Sequence, residues 1–233
     1  MTDLKNQLLF LDCETTSAEK DARLVQIAYA QWDWEIQDHL FKPPVPISIG
    51  AMAIHHLTNE MVKDKDVFQE SLVFLDVQNM SRDSIVVAHN AKFDLNILKN
   101  EWITDTPRHI CTYKVAYTQL EKAEKHTLQY LRYFTGLYEF LPENVHAHDA
   151  HDDVYVLRDL FNYLTHEFTI EEMLEISSKP LLLRQLSFWK HKWIPLAQVP
   201  KSYLTWLAAN FEFDDDGDDL RYTLRHYLGQ VWY

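Results

Sequence analysis

The chain has 233 residues, enough for one medium domain and an appendage, and 47% of them are apolar, so a sizeable core can be buried. Its 22 Lys and Arg against 35 Asp and Glu leave a formal charge of −13, which excludes a basic carpet for non-specific nucleic-acid binding; any polyanion must be met locally. Gly50, Gly136, Gly217 and Gly229 lie too far apart for GxGxxG, a Walker loop or GxSxG, and Cys13 and Cys111 cannot build a disulfide framework or a four-thiolate zinc site.

The opening MTDLKNQ lacks the charged-then-apolar plan of a signal peptide, and with so few cysteines the chain reads as a reduced, cytoplasmic protein. Its apolar runs are short and broken by charges, far below the ~20 residues a membrane span requires, so no membrane segment is expected.

The run QLLFL, Gln7 to Leu11, is apolar on both faces, as a central strand covered by helices would be, and it ends in the polar Asp12-Cys13-Glu14-Thr15-Thr16. Residues 23–42 are β-rich and roughly alternating about Asp33, which predicts two strands, until Lys42-Pro43-Pro44-Val45-Pro46 forbids regular pairing. Helical spacing is predicted over 58–79, a second buried strand over Ser84 to Ala88, and helices over 91–102, 111–120, 127–134 and 149–165. Strands come first and helices cover them, so the class is α/β.

Near residue 177 the composition changes. Ser177 to Asn210 holds no Asp or Glu but carries Lys179, Arg184, Lys190, Lys192 and Lys201; acids then return at Glu212, Asp214, Asp215, Asp216, Asp218 and Asp219 before a last helical stretch, Leu220 to Leu228. A small C-terminal module is therefore expected over 178–233. The aromatic residues of its acid-free part, Phe188, Trp189, Trp193, Tyr203 and Trp206, either form that module's core or add a basic, aromatic surface for a nucleic-acid strand.

Four acids stand out. Asp12 and Glu14 are two apart on a strand, so they leave one face and can grip one cation, unless they are simply a solvated strand end. Asp94 shares its helix's apolar side with Ala91, Leu95, Leu98 and Trp102, where a bare charge is costly unless it is paired or metal-bound; the alternative is an acid that favours the helix dipole. Asp153 aligns with Leu157, Leu160 and Leu164 in the middle of an apolar stripe, whereas Asp152 lies at its edge and Asp149 is placed as an N-cap. If the four converge they repel unless cations relieve them. Oxygen-only ligation selects Mg²⁺ or Mn²⁺, and two such ions suit in-line displacement at phosphorus. His148, in the turn before Asp153's helix, is placed to act as general base.

These residues resemble the DEDDh, or DnaQ-like, 3′-5′ exonucleases, in the motifs LDCETT (11–16), HNAKFD (89–94) and HDAHDD (148–153) and in the segment ISIGAMAIHHLTNEMV (47–62), a match covering about 7–167. A tyrosine-branch enzyme would carry Tyr where Asp149 stands. The tail from 170 to 207 resembles the extension of the bacterial exonuclease X group, whose pattern has glycines on both sides of Lys190-His191-Lys192, at the places of Trp189 and Trp193. The resemblance implies an RNase H-like mixed sheet flanked by helices over 1–168 and a small module over 169–233. It also implies two Mg²⁺ or Mn²⁺ ions on Asp12, Glu14, Asp94 and Asp153, with His148 activating water. Thr15 and His55 would line the substrate groove and Asn90 would support the second motif. The partner would be nucleic acid, with nucleoside 5′-monophosphates released from DNA 3′ ends; RNA as substrate, or an inactive end-binding adaptor, are the alternatives.

Three other patterns compete. HAHDAH, 146–151, nearly spells the zinc motif HxHxDH with its Asp one position early, and His151-Asp152 is similar to HD-domain phosphohydrolases. Glu212-x-Asp214-x-Asp216-Gly217 imitates half an EF-hand, with Thr223 where the bidentate Glu belongs.

Overall fold

The computed structural model describes residues 2–105, 108–142, 145–186, 188–213 and 218–229. The half EF-hand pattern and its Asp214, Asp215 and Asp216 lie outside them. After a short helix α1 (Thr2–Lys5), strand β1 (Leu8–Thr15) pairs antiparallel with β2 (Leu24–Gln31), which pairs antiparallel with β3 (Gln37–Leu40). Helices α2 (Ile49–His55), α3 (Asn59–Val62) and α4 (Leu72–Asp83) lead to β4 (Ile85–Ala88), which is followed by α5 (Lys92–Asn100), β5 (Arg108–Cys111), α6 (Thr112–Gln119), α7 (Leu128–Phe134) and α8 (Ala150–Leu164). The sheet order is β3-β2-β1-β4-β5, with β4 parallel to both β1 and β5: a mixed sheet, as expected.

The alternation of β1 and its neighbours divides the core in two. Leu8, Phe10, Ala28, Ala30, Ile85 and Val87 pack under α6, α7 and α8. Leu9, Leu11, Cys13, Ile27, Tyr29 and Val86 pack under α4 and α5 through Val77, Ile97 and Leu98. The first strand does not stop at Leu11 as its apolar run suggests, because β2 accompanies it as far as Thr15, whereas β4 pairs only with Leu8 to Phe10. Beyond Phe10 one edge of β1 is therefore free of strand pairing, and that step in the sheet is where the acids gather.

Several elements differ from expectation. The predicted helix over 58–79 is broken into α3, a 3-10 turn (Phe68–Glu70) and α4: Thr58 caps its start, accepting from the Met61 N–H, but Ser71 caps a second start within it, accepting from the Phe74 N–H. Strand β5, four residues beginning in Arg and His, carries no periodic signal of its own; it forms because β4 offers a parallel edge. Trp102 does not share the apolar face of α5: the helix ends at Asn100, and Trp102 sits at φ 71° with 70% of its surface exposed. Glu101 causes that exit, since its buried carboxylate takes two bonds from the Arg23 guanidinium (2.8 Å each) and one from the Leu24 N–H (3.0 Å).

The chain divides into two compact units, Met1–Ser177 and Ser178–Tyr233. This divide agrees with the change in composition at 177 and lies beyond the 168/169 boundary implied by the resemblance. The reason is α9 (Ile170–Ser178): Ile170, Met173, Leu174 and Ile176 pack on the first unit's core, and the Ser177 hydroxyl accepts from the Cys111 N–H at 2.8 Å. The second unit is built from α10 (Lys201–Asn210) and α11 (Asp219–Leu228) over a core of Leu186, Leu196, Val199, Leu204, Leu207, Leu220 and Leu224. Its loop 185–195 closes through isolated bridges, Gln185 to Pro195 and Leu186 to Lys192.

Candidate active site

Leu8, Phe10, Asp12 and Glu14 share one face of β1, and the two apolar members lie under α8. The two acids therefore face the first turn of that helix. Gln26, the cross-strand partner of Glu14, accepts from the Ala150 N–H at 3.4 Å and donates to Asp38 at 2.9 Å, tying β2 to the start of α8. Asp149 caps α8 as expected, accepting from the Asp152 N–H at 3.3 Å. One turn in, Asp153 is buried in the apolar stripe beside Val154, Val156 and Leu157.

Asp94 arrives from the opposite layer. After β4 the chain turns through Asn90 in the left-handed region (φ 65°), and α5 starts at the edge of β1 that β4 leaves unpaired. There Asp94, 2% exposed, lies beside Cys13, whose N–H and thiol favour its ionised form against the effect of burial. Its carboxylate thus sits where β1 has no strand partner, close to Asp12.

Bringing the acids together costs protonation free energy. Burial, and then Asp94, Asp153 and Glu14 in turn, drive the Asp12 carboxyl far above the usual range. Burial followed by Asp153 and Asp94 raises Glu14 to about 8. Burial raises Asp94 to about 8 against the bonds from its own N–H and from Cys13. Burial also raises Asp153 to about 7, opposed by Gln129 and by the His148 N–H. Only cations can hold all four ionised at neutral pH, so the donor set fits hard divalent ions bound through oxygen.

His148 stands in the left-handed region (φ 61°) before α8, its N–H donating to Asp153 Oδ2 at 3.1 Å. Its ring is exposed, and its nearest nitrogen lies within 4.8 Å of oxygens of Glu14 and Asp153, which are themselves no farther apart. Gln129 of α7 donates to Asp153 Oδ1, and the buried Arg132 donates to Gln129 Oε1 (3.4 Å) and to the Val145 carbonyl (3.1 Å).

Of the remaining residues singled out in the sequence, Thr15 is buried and its hydroxyl donates to the Ser17 carbonyl at 2.7 Å. His55 is buried, its Nδ1 accepts from the Leu57 N–H at 3.0 Å, and Nε2 therefore carries the proton and donates to the Thr15 carbonyl at 3.1 Å. With both nitrogens occupied by backbone, it clamps α2 to the end of β1 and offers no donor to a ligand. Asn90 is exposed at its turn, its carbonyl accepting from the Phe93 N–H at 2.9 Å.

Sequence reasoning missed Cys13, Gln129 and Gln26. Only Arg132 gave a usable sign: an arginine sharing the helical face of Leu128 and Leu131 needs an internal partner. The three histidines of the zinc pattern do not converge, since His148 faces Glu14 and Asp153 while His146 and His151 engage Asp152 (3.5 and 3.0 Å); His151 and Asp152 do lie together with Asp149, their ligand atoms within 4.8 Å of one another, in a cluster separate from the four acids. Among the described residues no helix is long and apolar enough to cross a membrane.

The sequence profile of the Exonuclease (RNase_T) family matches residues 9–161. Exodeoxyribonuclease 10 of Escherichia coli K12 is 34% identical over 200 residues, 82% of this chain and 83% of its own. The DNA polymerase III epsilon subunit of Buchnera aphidicola is 27% identical over 184 residues, 69% of this chain and 73% of its own. Among solved structures, exonuclease X in complex with 5′ overhanging duplex DNA superposes with a TM-score of 0.60 at 30% identity, covering 73% of this chain and 99% of that one. Escherichia coli exonuclease I with a dA16 oligonucleotide shares the fold, with a TM-score of 0.57 at 16% identity over 72% of this chain and 42% of its own.

Proposed function

The chain belongs to the Exonuclease (RNase_T) family and is a 3′-5′ exonuclease, and from that premise we propose that it hydrolyses DNA from the 3′ end, one nucleoside 5′-monophosphate at a time, with two divalent ions. The observation that carries the reading is the meeting of Asp12, Glu14, Asp94 and Asp153 from three elements, with the His148 ring alongside Glu14 and Asp153. DNA is favoured over RNA because the relatives are named for deoxyribonuclease activity and for a complex with DNA.

In this reading Asp12, Glu14, Asp94 and Asp153 would hold Mg²⁺ or Mn²⁺, and two such ions would supply a lowered pKa for the attacking water and charge stabilisation for the leaving oxygen. The protein's own groups do the rest. His148, exposed at the rim, takes the proton of the attacking water and passes it to solvent. Its backbone N–H and Gln129 each engage one oxygen of Asp153 and hold that carboxylate in one orientation. Cys13, beside Asp94, favours that carboxyl's ionised form. The chain's −13 charge is compatible with such a substrate because only a few terminal nucleotides need be gripped.

The test uses a 5′-labelled DNA oligonucleotide and its RNA counterpart, with free or blocked 3′ ends. Stepwise shortening of the free-ended DNA in Mg²⁺ or Mn²⁺, arrest by EDTA, and loss of at least about a thousandfold in rate for Asp153→Ala with an unchanged circular dichroism spectrum are expected. Full turnover by that variant would remove the site assignment, and faster digestion of RNA would reassign the substrate.

A further inference from the structure

The second unit carries a row of aromatic rings at its surface. Its core is aliphatic, and the aromatic residues sort into two groups around it: Phe188, Tyr203, Phe211, Phe213 and Tyr227 are partly buried against that core, whereas Trp189, Trp193 and Trp206 remain 52%, 50% and 48% exposed. The rings of Trp189, Trp206, Tyr203 and His191 form a continuous row, with successive centroids 5.7, 5.7 and 4.4 Å apart. Lys190 and Lys192 flank His191, both exposed, and Lys192 lies over the Trp193 ring at 5.0 Å. None of the unit's carboxylates among the described residues is paired with either lysine, and the sequence from Ser177 to Asn210 contains no acid at all.

We propose that this row is a binding surface for single-stranded DNA, with unstacked bases laid on Trp189, Trp206 and Tyr203 and phosphates met by Lys190 and Lys192. Three considerations select that occupant. Exposed rings beside unpaired lysines match a strand that offers both π-faces and phosphates, whereas an apolar protein partner would leave the lysines buried without counter-charge. In a chain of net charge −13, this acid-free stretch is a place where a polyanion is attracted. Trp189 and Trp193 also occupy left-handed backbone positions (φ 60° and 66°) that glycine fills without strain, so local conformation does not call for tryptophan there, and although one edge of Trp189 packs on Phe188 and Phe211 (5.2 and 5.8 Å between centroids), about half of each indole stays exposed. A single strand is preferred to duplex because stacking needs bases free of their partners.

The inference rests on the reading of the first unit as a DNA exonuclease, and the experiment separates the two. Full-length wild type, Trp206→Ala and the exposed-charge pair Lys190→Glu/Lys192→Glu are compared in two assays. Fluorescence anisotropy in EDTA measures binding of an oligothymidylate, and of a blunt duplex, each longer than the active site can hold. Hydrolysis of the p-nitrophenyl ester of thymidine 5′-monophosphate in Mn²⁺ reads the first unit alone. Both variants are expected to bind the oligothymidylate about tenfold or more weakly, the lysine pair also lowering the salt dependence, with duplex binding less affected and ester hydrolysis within about twofold of wild type. Unchanged oligothymidylate affinity in both variants overturns the proposal, as does equal weakening for duplex and single strand. A fall in ester hydrolysis parallel to the fall in binding also overturns it, because the residues would then support structure only. If wild type fails to cleave the ester, it is the exonuclease reading that falls, while the binding comparison still decides the surface.

Discussion

Asp153 shows how much of a buried carboxylate's setting lies in its neighbours. Its position in the apolar stripe of α8 is legible from helical spacing, because 100° per residue places it in line with Leu157, Leu160 and Leu164. Its orientation is not, because the two donors that set it, Gln129 and the His148 N–H, come from another helix and from a left-handed turn. Gln129→Ala is therefore expected to lower kcat by about 10- to 100-fold and to raise the divalent-ion concentration needed for half-maximal rate, with little change in KM for DNA. Titrating Mn²⁺ against rate checks this; a rate loss that excess Mn²⁺ does not touch and that appears in KM alone would place Gln129 on the substrate instead. His55 gives the opposite lesson: its sequence context points to the groove, yet the Thr15 carbonyl and Leu57 N–H consume both nitrogens.

The elements that failed expectation did so where local signals were outvoted. Repeated helical spacing over 58–79 ignored a good cap inside the stretch, Ser71, which starts a new helix there. β5 is a strand only because β4 supplies its partner. In the 185–195 loop, two tryptophans hold left-handed positions, which cost roughly 1–2 kcal/mol each for a residue bearing a Cβ. Position 193 allows that cost to be read cleanly. Both Trp193→Ala and Trp193→Gly lose the indole, but only glycine relieves the backbone, so the glycine variant is expected to be the more stable by about 1 kcal/mol in thermal or urea unfolding. The reverse order would mean that this φ costs nothing.

For the whole molecule, the clustered acids trade stability for function. Glu14 and Asp94 are raised to about 8 and Asp153 to about 7, so the folded state keeps protons that the unfolded chain has lost above its ordinary carboxyl pKa of about 4. Stability of the metal-free protein must therefore fall as pH rises from about 4 to about 8. Buried His89, lowered to about 4, acts in the opposite sense, but its contribution is complete once the unfolded histidine has deprotonated, near pH 6.5. Between pH 6.5 and 8 the acids dominate. In EDTA the melting temperature is expected to drop by about 5 °C over that interval, Mg²⁺ to restore it most at pH 8, and Asp94→Asn to raise it at pH 8 in EDTA while abolishing activity. A flat melting curve in EDTA across the interval would show that the acids do not repel.

The sequence by itself determined the α/β class, the family and the chemical break at 177, and it singled out the four acids with His148 as candidates, because apolar periodicity, buried charge and residue spacing are local properties of a chain. Only the tertiary structure decided that β1 outruns β4. That step leaves an edge of β1 without a strand partner beside Cys13, where Asp94 settles, and so brings carboxylates together from opposite layers of the sheet. It also decided the partners of Asp153, the internal commitment of His55 and the exposure of Trp189, Trp193 and Trp206. Each of these depends on which backbone and side-chain groups remain unsatisfied once distant segments have packed, and that remainder is a property of the folded chain, not of any window along it.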